Sequence, residues 1–112
     1  MTRIDQPPNP GDPDVAFDVP GLLVGSFTRT PNQLWVRAHN DTYDIELHGV
    51  YPDSMRRRAE ALVKWEAALA RWVEGDIPCR LLIAPGKPSV LIGRDGWEVI
   101  FPTCPPIHRQ PA

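Results

Sequence analysis

Apolar and polar residues alternate along the first half of the chain with the two-residue period of β-strands. Three such segments are interrupted by residues that favour tight turns. We therefore predict an antiparallel meander of three strands. The predicted strands are residues 22–30, 34–39 and 42–50, separated by turns at Pro31-Asn32 and Asn40-Asp41.

The second and third of these strands form a predicted hairpin with a defined register. A two-residue turn pairs His39 with Thr42 and places Val36 opposite Ile45. The apolar faces of the two strands then coincide, as a sheet with one buried face requires. The opposite face carries Trp35 beside polar residues.

A helical period follows the meander. Asp53 or Ser54 is a suitable N-cap, and Gly75 is a stop signal after Glu74. Apolar residues recur at intervals of three and four along this segment, which predicts one buried stripe. The stripe comprises Leu62, Trp65, Leu69, Trp72 and Val73.

Residues 79–84, 89–93 and 97–101 are further strand segments, and the last two could be one bent strand. The predicted fold is mainly β with one helix, in the order β-β-β-α-β-β. That order is the order of the five-stranded OB barrel, in which Trp97 would pack inside. A plain α+β sheet with one covering helix has the same order, and the order alone does not separate the two.

Composition indicates one domain with tails. The chain has 112 residues, of which 42% are apolar, and fourteen are prolines concentrated at both ends. We expect residues 21–102 to form the domain, with a disordered Pro-rich tail at 1–20 and a C-terminal tail at 103–112. No apolar run is long enough to span a bilayer, so we expect a soluble, cytoplasmic protein with no membrane partner.

Charge and cysteine content add few constraints. A net charge of −2 gives no global basic field, so nucleic-acid binding would need a local patch. Cys79 and Cys104 are predicted to be free thiols, although a disulfide between them is possible. The three histidines lack metal-ligand spacing, and neither a metal site nor a cofactor is predicted.

Residues 22–101 resemble the staphylococcal-nuclease-like (thermonuclease) domain, an OB-fold barrel. The resemblance rests on the turn TPNQ, the strand LWVR, the strand and exit ELHGVYPD, the helix, the strand CRLLI and the segment IGRDGWEVIF. It covers the apolar positions and the spacing better than the catalytic positions. A competing alignment places the family's turn at HNDT, residues 39–42, but leaves too few residues for the second strand before Glu46.

The resemblance implies that the family's calcium-binding and catalytic site is degenerate here. Neutral or aromatic side chains replace the metal-binding and neighbouring residues, and an acidic one replaces the first arginine, which leaves too few oxygen ligands for calcium. Only Arg94 falls where the family has a catalytic residue, so no catalytic set is predicted. The degenerate positions are Thr30, Asn32, Gln33, Glu46 and Tyr51, with Asp53 near the place of the general base.

These observations lead to the hypothesis of a non-catalytic binding module for single-stranded nucleic acid or a protein partner. Trp35 would stack and Arg37 would neutralise a phosphate, with Glu46 and Arg94 as further candidate binding residues. Asp44 and Glu46 beside them would repel a polyanion. Two alternatives stay open: a weak or altered phosphodiesterase that retains Arg94, and a small accessory structural or assembly protein.

Overall fold

A computed structural model describes residues 17–52, 56–83, 87–102 and 107–110 of the chain. These residues form seven strands and one helix. In chain order, the elements are β1 (Phe17–Thr30), β2 (Gln33–His39), β3 (Tyr43–Val50), α1 (Arg56–Glu74), β4 (Cys79–Ile83), β5 (Ser89–Gly93), β6 (Glu98–Phe101) and β7 (Ile107–Arg109). The predicted class, mainly β with one helix between the third and fourth strands, is confirmed.

The strands are antiparallel and follow the order β6-β5-β4-β1-β2-β3-β7. The described sheet therefore has two ends, β6 and β7, and is open rather than closed by hydrogen bonds. A five-stranded barrel is not confirmed, and β5 and β6 are separate strands rather than one bent strand. The helix packs against β1 and β6, so the architecture agrees with the alternative of an open sheet covered by one helix.

β1 is the central strand and is longer than the pattern predicts. Its first part pairs with β4 and its second part pairs with β2, with irregular register between Val19 and Leu22 and between Val24 and Ser26. Pro20, which lacks an amide donor, occupies the first irregularity, where the ladder can lack a hydrogen bond. Residues 17–20 thus belong to the sheet and not to the predicted N-terminal tail.

The turn at Pro31-Asn32 joins β1 to β2 as predicted, with Thr30 opposite Gln33. The register of the next hairpin is wrong in the prediction by two positions. Val36 lies opposite Leu47 instead of Ile45. The cause is the Asn40 side chain, whose Oδ1 accepts hydrogen bonds from the amides of Thr42 and Tyr43 at 2.8 and 2.7 Å, so the turn is centred one residue later.

The shift of two positions preserves the faces of both strands, because side chains alternate with a period of two. Apolar residues of β2 and β3 line the core, and polar residues point away from it. The buried core residues of these two strands are Leu34, Val36, Ala38, Tyr43, Ile45 and Leu47.

The helix ends at Glu74 as predicted, and the amide of Gly75 donates to the carbonyl of Arg71. Its proposed N-cap residues lie outside the described residues. Four members of the predicted stripe are buried, whereas Val73 is exposed, and Ala68 is buried in addition. Leu62, Trp65, Leu69 and Trp72 fill the space between the helix and the sheet.

Two further predictions about the end of the chain need correction. Residues 107–109 form β7, which pairs with β3, so at least this part of the predicted C-terminal tail belongs to the sheet. Trp97 is 44% exposed instead of packed in the interior. The remaining tail residues, 1–16, 103–106 and 111–112, lie outside the described residues.

Candidate binding surface

The face of β1, β2 and β3 that points away from the core carries the candidate binding residues. Register places Thr28, Trp35 and His48 in one row across the three strands. The same pairings align Ser26, Arg37 and Glu46 in the adjacent row, in the direction away from the β1–β2 turn. We call these two rows the outer face.

Trp35 is the largest side chain on the outer face, and 37% of it is exposed. The His48 ring stacks on it, with a centroid distance of 3.5 Å and an interplanar angle of 19°. The indole Nε1 donates to Oε1 of Gln33 at 3.3 Å. Both contacts hold the indole in one orientation, so Trp35 is an ordered, partly exposed aromatic group.

The register shift explains why sequence reasoning missed the role of His48. The predicted pairing placed Glu46 opposite Trp35, whereas the structure places His48 there. The alternation of side chains along β3 predicts that His48 lies on the polar face with Trp35. Only the observed turn geometry places the His48 ring against the Trp35 ring. His48 Nε2 is shielded from solvent and has no hydrogen-bond partner among the described residues.

Arg37 and Asp44 form a bidentate ion pair on this face. Arg37 Nε and Nη2 donate to Oδ1 and Oδ2 of Asp44 at 3.4 and 3.0 Å. The hydrogen bond and then the charge of Asp44 raise the pKa of Arg37, and Glu46 adds to the effect. The guanidinium is thus partly neutralised by its own neighbour, which weakens its predicted role as a phosphate ligand.

Glu46 of β3 is exposed and lines the same depression as Trp35 and Arg37. In the part of the chain that the structure describes, the Glu46 carboxylate forms neither a hydrogen bond nor an ion pair, and it acts on Arg37 through its charge alone. Trp35, Arg37 and Glu46, three of the four predicted binding residues, therefore come together.

A shallow depression of about 160 Å³ lies between these side chains. This volume is well below the roughly 300–1,000 Å³ of pockets that enclose a drug-sized ligand. It is close to the roughly 150 Å³ of a cavity that holds a single benzene-sized group. The depression therefore has room for one side chain or ring. Its lining consists of Ser26, Phe27, Thr28, Trp35, Val36, Arg37 and Glu46.

The fourth predicted binding residue, Arg94, lies elsewhere. It is exposed in the turn between β5 and β6, and β5 is separated from β2 by β4 and β1 in the sheet. Its amide donates to the carbonyl of Pro78 at 2.9 Å. The structure thus does not bring Arg94 to the outer face.

Apart from Glu46 on the outer face, the described positions of the degenerate nuclease-like site divide into two groups. Thr30, Asn32 and Gln33 lie at the β1–β2 turn, where the Asn32 carbonyl accepts from the amide of Tyr51 at 2.7 Å. The side chain of Tyr51 is instead buried in the core at 2% exposure. Asp53 lies outside the described residues.

Tyr51 has a structural role that the resemblance to the nuclease-like domain does not imply. Its hydroxyl donates to the Ile100 carbonyl of β6 at 2.5 Å, and its ring contacts Trp65 with a centroid distance of 5.3 Å. Gly49 makes room for the phenol, because a Cβ atom there would lie 2.5 Å from the hydroxyl oxygen. Tyr51 thus bridges the end of β3 and an edge strand of the other half of the sheet.

A second polar cluster, at the C-terminal end of the helix, was also missed. Asp95 accepts hydrogen bonds from Arg71 Nε at 2.7 Å, from Trp72 Nε1 at 3.1 Å and from the Trp97 amide at 3.2 Å. The Arg71 guanidinium also lies over the Trp97 ring, 5.1 Å from its centroid. Asp95 thus joins the end of the helix to the β5–β6 turn.

No group of three or more His, Cys, Asp or Glu side chains among the described residues is arranged to hold a metal ion. The described helix is not long and apolar enough to cross a membrane. Comparisons with family models, with curated proteins and with solved structures found no match to this chain.

Proposed function

We propose that the protein is a non-catalytic binding module that engages a protein partner through the outer face. The observation that carries the proposal is the ordered, partly exposed indole of Trp35, which lines a depression of single-side-chain size. The proposal keeps the non-catalytic function expected from the resemblance to the staphylococcal-nuclease-like domain. It does not depend on a closed OB barrel.

The contacts of Trp35 support a binding role. An exposed tryptophan keeps a large apolar surface in water, and tryptophan is enriched among the residues that dominate the free energy of protein interfaces. Stacking on His48 and the hydrogen bond to Gln33 restrict the indole before any partner arrives. A partner then loses less conformational entropy of this side chain on binding.

The charges of the outer face favour a protein over single-stranded nucleic acid. Nucleic-acid affinity depends mainly on cations that replace the counterions of the phosphates. Here Arg37 is paired with Asp44, and Glu46 adds a further negative charge to the same surface. A polyanion would meet more carboxylates than free cations.

The phosphodiesterase alternative has less support. Arg94 and Glu46 lie on separate parts of the sheet, and the buried phenol of Tyr51 occupies one of the positions that the resemblance assigns to the site. An arginine alone in a turn supplies neither a positioned base nor a second stabilising charge.

Panning of a random peptide display library on the full chain would test the proposal. The matched variants are Trp35→Ala on the outer face and Trp97→Ala, which removes another exposed tryptophan far from that face. We expect enriched peptides whose binding is lost with Trp35→Ala and retained with Trp97→Ala, both variants being checked for native circular dichroism.

A second arm of the experiment uses fluorescent single-stranded oligonucleotides at low salt. Trp35-dependent oligonucleotide binding, without peptide enrichment, would replace the protein partner by nucleic acid. Peptide enrichment that survives Trp35→Ala would show that the outer face is not the binding surface.

A further inference from the structure

The outer face places a carboxylate and an aromatic ring around one depression. Glu46 and Trp35 both line it, on neighbouring strands. Arg37, the cation that lines the same depression, is bound by both oxygens of Asp44. The charge of Glu46 acts on Arg37 but forms no ion pair with it, so Glu46 is the carboxylate on this depression that can still pair with a cation.

A cation matches this pair of groups better than any other side chain. The face of an indole attracts a cation through its π electrons, and tryptophan is the most effective of the aromatic residues. A carboxylate beside the indole adds a charge-assisted hydrogen bond. Together with Asp44, the outer face carries two carboxylates and one guanidinium, so this surface has an excess of negative charge.

Among cationic side chains, arginine fits best. A guanidinium is planar, stacks on aromatic faces and forms two parallel hydrogen bonds to one carboxylate, whereas a lysine ammonium is compact and strongly hydrated. The depression of about 160 Å³ is large enough for one such planar group but not for a bulky ligand. The protein contains a similar arrangement, because Arg71 lies over the ring of Trp97 and binds Asp95.

We infer that the partner of the outer face is a protein segment that inserts an arginine side chain between Trp35 and Glu46. This inference rests on the proposed function and specifies the chemistry of its partner. The guanidinium would stack on the face of the indole that His48 does not cover and would bind the carboxylate of Glu46, while the Arg37–Asp44 pair would border the site.

Fluorescence anisotropy with labelled peptides and the full chain would test this inference. The probes are three twelve-residue Gly/Ser peptides that differ only at two central positions, which hold Arg, Lys or Glu. The protein variants are Glu46→Gln, Trp35→Ala and Glu98→Gln, the last being a control that neutralises an exposed glutamate on β6.

We expect the Arg peptide to bind more tightly than the Lys peptide and the Glu peptide to bind weakest. Glu46→Gln should weaken the Arg peptide about three- to fivefold, the effect of losing an exposed ion pair, whereas Glu98→Gln should leave it unchanged. Trp35→Ala should weaken all binding.

Other outcomes separate this inference from the proposed function. Equal binding of the Arg and Lys peptides, or equal effects of Glu46→Gln and Glu98→Gln, would overturn the assignment of an arginine. If Trp35→Ala abolished peptide binding in that case, the proposed function of the outer face as a binding surface would still be supported. Binding that Trp35→Ala leaves unchanged would overturn both, and the absence of binding by all three probes would overturn the inference alone.

Discussion

Replacement of Tyr51 by phenylalanine removes one hydroxyl and nothing else from the core. That hydroxyl donates to the carbonyl of Ile100 at 2.5 Å and so links the end of β3 to β6. The variant leaves a partly buried carbonyl without this donor, which costs about 1–2 kcal/mol of unfolding free energy. For a domain of this size, we expect Tm to fall by about 4–10 °C.

The assay is urea unfolding followed by far-UV circular dichroism, with the midpoint and the slope determined for each variant. A fall in midpoint at constant slope would indicate a loss of stability without a change in the surface exposed on unfolding. The peptide affinity of folded Tyr51→Phe should equal that of the wild type, because Tyr51 does not line the depression.

A second substitution shows whether the measured loss comes from this hydrogen bond. In Gly49→Ala the new Cβ would meet the Tyr51 hydroxyl and ring, so the phenol must move and the bond to Ile100 is broken. The Tyr51→Phe change should then cost much less in the Gly49→Ala background than in the wild type. An unchanged midpoint in Tyr51→Phe, or an undiminished loss in the double variant, would refute the proposed bridge.

Two further predictions concern the other half of the sheet. Burial of Asp95 acts to raise its pKa, but the hydrogen bonds from Trp72, Arg71 and the Trp97 amide outweigh this effect and hold the pKa below its ordinary value. The ionised carboxylate therefore stabilises the folded protein above the unfolded-state pKa, and this stabilisation is lost as pH falls through the folded-state pKa. Asp95→Asn should therefore reduce the urea midpoint at pH 7 and flatten its acid dependence, and an unchanged acid dependence would contradict the cluster. Burial, with a smaller contribution from the charge of Asp95, raises the pKa of the Cys79 thiol to about 12. In a Cys104→Ser variant, a thiol reagent at pH 8 should label the protein only after urea is added, and rapid labelling of the folded protein would contradict this.

The two-residue period predicts most strands because it reports directly which face of a sheet is buried. It cannot reveal a register error of an even number of residues, because such an error leaves every side chain on the same face of the sheet. The hydrogen bonds of the Asn40 side chain centre the turn one residue later than predicted, which shifts the strand pairing by two positions. The apolar positions of β2 and β3 still face the core. The stack of Trp35 on His48 depends on that detail, so the pattern alone could not find it.

Trp97 and Tyr51 show the opposite failure, in which residue type misleads. The pattern assigned Trp97 to the core, yet stacking with Arg71 stabilises it at the surface. Tyr51 aligned with a polar site position, yet its phenol crosses the interior to reach β6. Both outcomes depend on partners more than twenty residues away in the chain, which local spacing does not reveal.

β1 is the strand that joins the two halves of the sheet, and this connection has a kinetic consequence. The hairpins β1–β2 and β2–β3 pair residues that are close in sequence, and so do β4–β5 and β5–β6. In contrast, the pairing of Leu22 with Cys79 must close a loop that contains β2, β3 and the helix. Non-local closure of this kind slows folding. We therefore expect each hairpin unit to form early and the non-local pairing of β1 with β4 to form more slowly.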